Sequence, residues 1–354
     1  MGDLAEPIVH RNAPSTVLLG ADPADGAALG GKGRSLAELV DAHYPVPATG
    51  VVTTSAYRAV AAHPSVQALV DDLAGGQERR AEEVDAVFLA VPVPRSLEAD
   101  IVRLAGRVGG GGRLAVRSSA TVEDMQGSSF AGQYRSLLDV DADEADAVLR
   151  AVRLVWASLW HPAPTAYRRA FDIDESDVAM AVVLMRMIPA TTAGVVFTTD
   201  PGGAEEAARV EAVEGLGEKL VSGQRTPSAW VVPRRDPDGL PVAPRRALEL
   251  ALAIEAMHDV PQDVEWAAVG DDVSVVQARP ITVLQTDDGF DTPVDDHELT
   301  TAGIVEMVPG VLPPLRWELN RFLLDEAFRS VLDSLGLLRG GPAEDRAFVR
   351  RVRG

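Results

Sequence analysis

Apolar residues recur every three or four positions in several stretches of the chain, which predicts amphipathic helices. The clearest stripe lies within residues 145–159 and includes Val148, Val152 and Val155, and packing against a core is enough to explain it. Weaker stripes predict further helices at residues 33–40, from 55 onward, and at 78–89, 94–108 and 244–257. Residues 1–30, rich in glycine and alanine near their end, are predicted to be irregular.

Short apolar runs with many β-branched residues predict strands. The longest run covers residues 178–188 and a second covers 194–198, and we expect the two to form a hairpin whose apolar face can hold a purine. Asp271 and Asp272 follow Gly270 between two further runs, which is typical of a hairpin turn. The remaining predicted strands lie at residues 48–53, 113–117, 134–140, 210–213, 229–232, 263–268 and 273–278.

Changes in composition divide the chain into three parts. Four consecutive glycines at residues 109–112 separate an N-terminal lobe, 1–110, from a second part, 111–284. The stretch that follows is acidic and irregular, as a linker would be. We therefore expect residues 285–354 to contain this linker and the start of a following helical domain.

Composition and charge narrow the possible functions. The chain has 354 residues, is 46% hydrophobic and carries a formal net charge of −20, so we expect a globular protein that does not bind nucleic acid. It contains no cysteine, which excludes disulfides and thiolate chemistry. No apolar run reaches the length of a membrane helix and the N-terminus does not resemble a signal peptide, so we expect a cytoplasmic protein without membrane contact.

Two cations stand beside flexible segments that suit an anion. Lys32 follows Gly30 and Gly31, whose backbone N–H groups can approach a phosphate closely; the alternative is a flexible turn before a helix. Arg117 leaves a predicted strand into a loop rich in serine and threonine, where a guanidinium can clamp phosphate oxygens. The alternative for Arg117 is a surface ion pair.

Polar residues of the last predicted hairpin suit a metal. Glu265 and Gln277 can converge across the two strands, and a carboxylate with an amide oxygen forms a plausible part of a Mg²⁺ shell. Arg279 shares a face with Gln277 and can meet a terminal phosphate. The alternative is a solvated polar face. Met185 and Met187 lie in the run proposed to hold the purine, and the alternative there is a buried sheet.

The order of these segments resembles the nucleotide-binding domain shared by phosphoenolpyruvate synthase, pyruvate phosphate dikinase and rifampicin phosphotransferase. The matching segments are 30–32 (Gly-Gly-Lys), 116–120 (Val-Arg-Ser-Ser-Ala), 129–133 (Ser-Phe-Ala-Gly-Gln), 197–201 (Phe-Thr-Thr-Asp-Pro), 215–218 (Gly-Leu-Gly-Glu), 221–223 (Val-Ser-Gly) and 277–282 (Gln-Ala-Arg-Pro-Ile-Thr). The resemblance implies an α+β, multi-lobed ATP-grasp fold, with mixed or antiparallel sheets and flanking helices, whose lobes close on Mg-ATP.

The resemblance also assigns roles to individual residues. It implies that Lys32 and Arg117 bind phosphates, that Glu265 and Gln277 hold Mg²⁺, and that Arg279 lies at the γ-phosphate. In this family the phosphoryl group passes from ATP to a histidine on a mobile domain and then to the acceptor. None of the chain's six histidines lies in the sequence context of that histidine.

We therefore expect the ATP-binding part of a dikinase-type phosphotransferase. Its phosphohistidine domain would lie beyond a truncation of this chain or on a separate subunit, and the acceptor would be pyruvate or another small molecule. Two alternatives stay open at this stage. One is a non-catalytic nucleotide-binding module that regulates a partner, and the other is an ATP-grasp ligase that joins a carboxylate to an amine.

Overall fold

The computed structural model describes residues 14–122, 134–170, 173, 178–200, 206–215, 227–234 and 239–281. All of them belong to the first of the two units into which contacts divide the chain, Met1–Leu284. The predicted domain at residues 285–354 lies outside the described residues, as do the family motifs at 129–133 and 221–223. None of the described helices is long and apolar enough to cross a bilayer.

Five antiparallel strands form the first sheet, sheet A. Their order across the sheet is β1 (Thr16–Leu18), β2 (Thr49–Val52), β5 (Met180–Arg186), β3 (Arg113–Ala120) and β4 (Ser136–Asp141). Strands from both sides of the glycine run at residues 109–112 therefore share one sheet.

Alternation along β5 assigns a role to each face of sheet A. Met180, Val182 and Leu184 are buried in the core formed with a group of helices on one side. Those helices are α2 (Thr54–Ala61), α3 (Pro64–Ala74), α4 (Ala81–Ala90), α5 (Arg95–Gly109), α6 (Ala145–Ser158) and α7 (Pro162–Ala170). The helix predicted from residue 55 onward is two helices, because Pro64 occupies the first turn of a new one. Helix α7, with its Pro-Ala-Pro start, has no clear apolar period and was not predicted.

The second sheet, sheet B, is also five-stranded and antiparallel. Its order is β10 (Asp272–Pro280), β9 (Gln262–Val269), β6 (Thr192–Phe197), β7 (Ala207–Glu214) and β8 (Ser228–Pro233). Helix α8 (Val242–His258) covers one face, where Val264, Trp266 and Val275 are buried with it. The other face of sheet B is the one that carries Glu265 and Gln277.

The structure corrects the predicted hairpin between residues 178–188 and 194–198. Strand β5 pairs with β2 and β3, whereas β6 pairs with β7 and β9. The physical reason is that β5 is apolar on both faces and is satisfied as a central strand of sheet A. The segment between β5 and β6 thus crosses from one sheet to the other; residues 185–188 are called the hinge below.

Helix α1 (Gly26–Asp41) packs on sheet A, where Leu29 and Leu36 share a core with Val183 and Met185, and it also contacts β10. The predicted irregular region at residues 1–30 is therefore wrong at two places, β1 and the first turn of α1. Glycines lower helix propensity, but Asp25 caps the helix by accepting a hydrogen bond from the Ala27 N–H, and apolar packing supplies the rest.

Candidate functional site

A kink in α1 places Lys32 beside the face of β3 that carries Arg117. Gly30 has φ 67° and ψ 177°, which interrupts the helix and restarts it at the next residue. The Ser119 Oγ donates to the Leu29 carbonyl at 2.7 Å and accepts from the Gly33 N–H at 2.9 Å. A restarted helix presents the N–H groups of its first turn, an arrangement that favours an anion. The region read from sequence as a glycine-rich turn is thus a pinned helix start.

Arg117 joins the two sheets through its guanidinium. Its Nη2 donates to Glu265 Oε2 at 2.8 Å and to Gln277 Oε1 at 2.9 Å, and its Nη1 donates to the Val276 carbonyl at 2.9 Å. The Arg117 side chain is 16% exposed and that of Glu265 25% exposed. The structure therefore brings together three of the predicted site residues, contributed by β3, β9 and β10.

A β-bulge in β10 is what brings Gln277 to Glu265. Val275 lies opposite Trp266, but the next paired residue of β10 is Gln277, opposite Glu265. The extra residue, Val276, lets both it and Gln277 face away from α8. A regular hairpin register would place Val276 opposite Glu265 and would turn Gln277 towards the core.

Arg279 is held by an acidic residue that the sequence reasoning did not single out. Its Nε and Nη2 donate to the same oxygen, Asp263 Oδ2, at 2.8 and 2.6 Å. Asp263 lies directly opposite Arg279 in the register and two residues before Glu265, on the same face. Strand alternation alone was a sufficient signal to find it, because it predicts which carboxylates share the face of Glu265.

The carboxylates of Asp263 and Glu265 respond differently to burial. Burial raises the pKa of Asp263, and the Arg279 charge and hydrogen bond only partly oppose this. Burial would also raise the pKa of Glu265, but the charge and hydrogen bond of Arg117, with the charges of Lys32 and Arg279, more than reverse it and leave the pKa lowered. Glu265 is therefore kept ionised by cations that include the predicted phosphate ligands.

A cavity of about 240 Å³ connects these charged groups with the hinge. Arg117 and Glu265 line it, and so do Met185 and Met187. Lys32, Gln277 and Arg279 are not among its lining residues, although Gln277 bonds to Arg117 at its edge. Apart from the hinge, most of the lining is contributed by apolar residues, which include Ala115, Leu138, Ala190, Ala193, Val195 and Val276.

Ser136 is a second residue that the sequence reasoning missed. It lines the cavity from β4, directly opposite Arg117 in the strand register. It adds a hydroxyl group to a lining that is mostly apolar. Its position opposite Arg117 becomes visible only once β4 is known to pair with β3.

The donor set of the predicted metal site fits a hard cation with few protein ligands. Within the part of the chain that the structure describes, no three His, Cys, Asp or Glu side chains cluster as a metal site. Glu265 Oε2 and Gln277 Oε1 instead converge on one nitrogen of Arg117. Two oxygen donors aimed at one cation suit Mg²⁺, which commonly completes its shell with phosphate oxygens and water.

Several known proteins are similar to this chain in sequence. A rifampicin phosphotransferase from Streptomyces sviceus is 33% identical over 341 residues, covering 83% of this chain and 38% of that protein. A phosphoenolpyruvate synthase from Aeropyrum pernix is 36% identical, covering 59% of this chain and 27% of the relative. The prodigiosin synthesizing transferase PigC of Serratia marcescens is also 36% identical, covering 72% and 31%.

These relatives are much longer than the chain, which spans about 38% of the rifampicin phosphotransferase. Residues 26–249 match the family described as pyruvate phosphate dikinase, AMP/ATP-binding domain. That range includes the α1 kink, β3, the hinge and strands β6, β7 and β8 of sheet B, whereas β9 and β10 lie beyond it. The chain therefore belongs to the pyruvate phosphate dikinase AMP/ATP-binding domain family.

Proposed function

We propose that the face between sheets A and B binds Mg-ATP in an ATP-grasp arrangement and positions it for phosphoryl transfer to a histidine. The histidine would belong to a phosphohistidine domain or subunit, in cis or in trans, that delivers the group to pyruvate or another small acceptor. The observation that carries the proposal is the cavity that joins Arg117 and Glu265 to the hinge residues Met185 and Met187.

The two ends of the cavity suit the two ends of a nucleotide. The hinge end offers thioether and aliphatic side chains and a strand-end backbone, which suit a flat base. The other end offers the guanidinium of Arg117 and the carboxylate of Glu265. The base would therefore lie against Met185 and Met187, and the phosphates would extend towards β9 and β10.

The cations take their roles from their positions around the phosphates. Arg117 donates to three oxygens, two of which belong to the side chains of Glu265 and Gln277, and phosphate oxygens can replace those two as its acceptors. Lys32 lies close enough to Glu265 to lower its pKa, and Arg279 shares that influence. Glu265 and Gln277, once released, would hold Mg²⁺, whose bound charge neutralises phosphate oxygens. Positioning and charge neutralisation of this kind account for most of the catalysis in phosphoryl transfer.

The names of the relatives support the same reaction class. Two of the three compared relatives are described as a phosphotransferase and a synthase of phosphoenolpyruvate. The matched part of each is a minor share of its length, so the acceptor chemistry would come from regions that this chain does not align with.

Isothermal titration with a non-hydrolysable ATP analogue tests the proposal. We expect the wild type to bind the analogue more tightly with Mg²⁺ than without it, and Glu265→Ala to lose that dependence. Glu255→Ala is the matched control, because Glu255 on α8 also accepts from an arginine, Arg234, but on the opposite side of sheet B. A folded wild type that binds no analogue, or magnesium dependence retained in Glu265→Ala, would contradict the proposal.

A further inference from the structure

Arg186 lies in the hinge between the two methionines that line the cavity, yet its side chain points away from them. Alternation along β5 directs Met185 towards α1 and directs the Arg186 side chain to the face of sheet A that the helices cover. There its Nε donates to the Val108 carbonyl, in the last turn of α5, at 2.9 Å. Arg186 therefore connects the hinge to a helix outside the cavity.

The C-terminal end of α5 has the space and the partial negative charge to accommodate this guanidinium. Gly110 caps the helix in the left-handed conformation, with φ 57°, and its N–H donates to the Gly106 carbonyl. A Cβ at Gly110 would lie 2.8 Å from Arg186 Nη2, so the absence of a side chain there leaves room for the cation. The carbonyls of a C-terminal helix turn carry partial negative charge, which stabilises a cation at this position.

The hinge backbone is fixed at neighbouring points. The Arg186 N–H donates to the Ala48 carbonyl at 2.9 Å, and the Met187 N–H donates to the Arg113 carbonyl at 2.8 Å. The Met187 sulfur accepts from the Asp139 N–H at 3.0 Å. These bonds hold the base end of the cavity against sheet A. The Arg186 side chain connects the same hinge residues, Arg186 and Met187, to α5.

We propose that Arg186 is a positioning residue for the nucleotide base. The inference rests on the function proposed above and adds a role for a lining residue whose guanidinium bonds to α5. Its bond to Val108 fixes where Met185 and Met187 stand, and a flat base is sensitive to displacements of about 1 Å in such a wall. The phosphate end of the cavity is supplied by β3 and β9, and the bond that joins them, from Arg117 to Glu265, does not include Arg186.

Titration of Arg186→Met with two ligands separates a positioning role from a structural one. The ligands are the non-hydrolysable ATP analogue and inorganic tripolyphosphate, both with Mg²⁺. We expect the dissociation constant for the ATP analogue to rise about tenfold, the cost of one charged hydrogen bond transmitted to the base. The dissociation constant for tripolyphosphate, which has no base, should stay within about twofold of the wild-type value.

Arg153→Met is the matched control. Arg153 also donates to a backbone carbonyl, that of Leu89 at 3.0 Å, but it joins α6 to the end of α4 and does not line the cavity. It should leave the affinity for both ligands unchanged. Arg186→Lys, which keeps a cation at the helix end, should fold as the wild type does and lose only part of the affinity for the ATP analogue.

The possible failures are distinguishable. Wild-type protein that binds neither ligand would overturn the proposed function and the inference with it. Wild-type binding of both ligands, with Arg186→Met and Arg186→Lys matching it for the ATP analogue, would overturn the role of Arg186 alone. Equal losses for the ATP analogue and tripolyphosphate in the Arg186 variants would mean that the residue only maintains the fold.

Discussion

The two sides of the candidate site are built by different physical means. On the side of sheet A and α1, the arrangement depends on backbone geometry: the kink at Gly30, pinned by Ser119, and a hinge held by main-chain bonds. On the side of sheet B it depends on charged side chains, with Glu265 balanced by Arg117 and Asp263 by Arg279. Substitutions on the first side should therefore mainly lower the stability of the fold. Substitutions on the second side should mainly change ligand binding and the dependence of stability on pH.

Gly30→Ala should give the largest loss of stability on the sheet A side. A Cβ at Gly30 would lie 2.0 Å from the Ser119 carbonyl oxygen, and the backbone has a φ that other residues rarely adopt. We expect the free energy of unfolding to fall by more than about 3 kcal/mol, because either the kink or β3 must move. Urea unfolding measures this, and binding of the ATP analogue should be lost in parallel.

Gly76→Ala isolates the clash from the backbone preference. Gly76 has φ 90°, but a Cβ there would meet nothing within 4 Å. Its substitution should cost only about 1 kcal/mol, the price of the left-handed conformation alone. Equal losses in the two variants would show that contact with Ser119 is not what defines the kink.

Ser119→Ala should give a smaller loss on the same side. The hydroxyl bonds both the Leu29 carbonyl and the Gly33 N–H, and these buried groups would lose a partner. We expect a loss of about 2 kcal/mol in the free energy of unfolding, measured with urea. Ser35→Ala is the control: that hydroxyl makes one part-buried bond, to the Ala278 carbonyl of β10, and should cost about half as much. A Ser119→Ala variant no less stable than Ser35→Ala would contradict the assigned role.

On the sheet B side, the sequence indicated which residue types form the site but not the register in which their strands pair. Alternation was enough to place Gln277 and Arg279 on one face of β10, but a regular register from the turn would put Glu265 on the other face from Gln277. The bulge at Val276, which makes Gln277 face Glu265, has no signal in the hydrophobic pattern, because valine fits a regular strand equally well. Asp263 was predictable by alternation and was overlooked.

The sheet A side was less accessible from the sequence. Glycines at residues 30, 31 and 33 lower helix propensity, so the start of α1 was read as irregular, whereas long-range packing and the bonds of Ser119 stabilise it. The predicted hairpin of β5 and β6 was wrong because β5 pairs with β2 and β3, which are distant from it in the sequence. The apolar pattern of a strand buried on both faces does not indicate which strands will be its neighbours. Met185 and Met187 line the cavity because they lie where the chain crosses from sheet A to sheet B, and not because β5 and β6 form a hairpin.

Glu265→Gln should give the smallest change in stability, and one that depends on pH. Glutamine still offers an oxygen to Arg117, so at neutral pH only the difference between a charged and a neutral hydrogen bond is lost, about 1 kcal/mol. The pKa of Glu265 is lowered from its ordinary value of 4.5 in the folded protein, so ionised Glu265 stabilises the fold fully above that value. This contribution is lost as the pH falls through the folded-state pKa.

The stability difference between wild type and Glu265→Gln should therefore be constant above pH 4.5 and shrink below it, as followed by urea unfolding across that range. Glu83→Gln is the control, since the pKa of Glu83 is also lowered, by the Arg80 N–H and side chain, but at an exposed helix start. Salt at about 1 M should reduce only the part of the Glu83 pH dependence that comes from the charges of Arg80 and Arg79, and should leave the pH dependence for the buried Glu265. A difference for Glu265→Gln that stays constant below pH 4.5 would mean that Arg117 does not hold this carboxylate ionised, and the charge-based account of the sheet B side would fail with it.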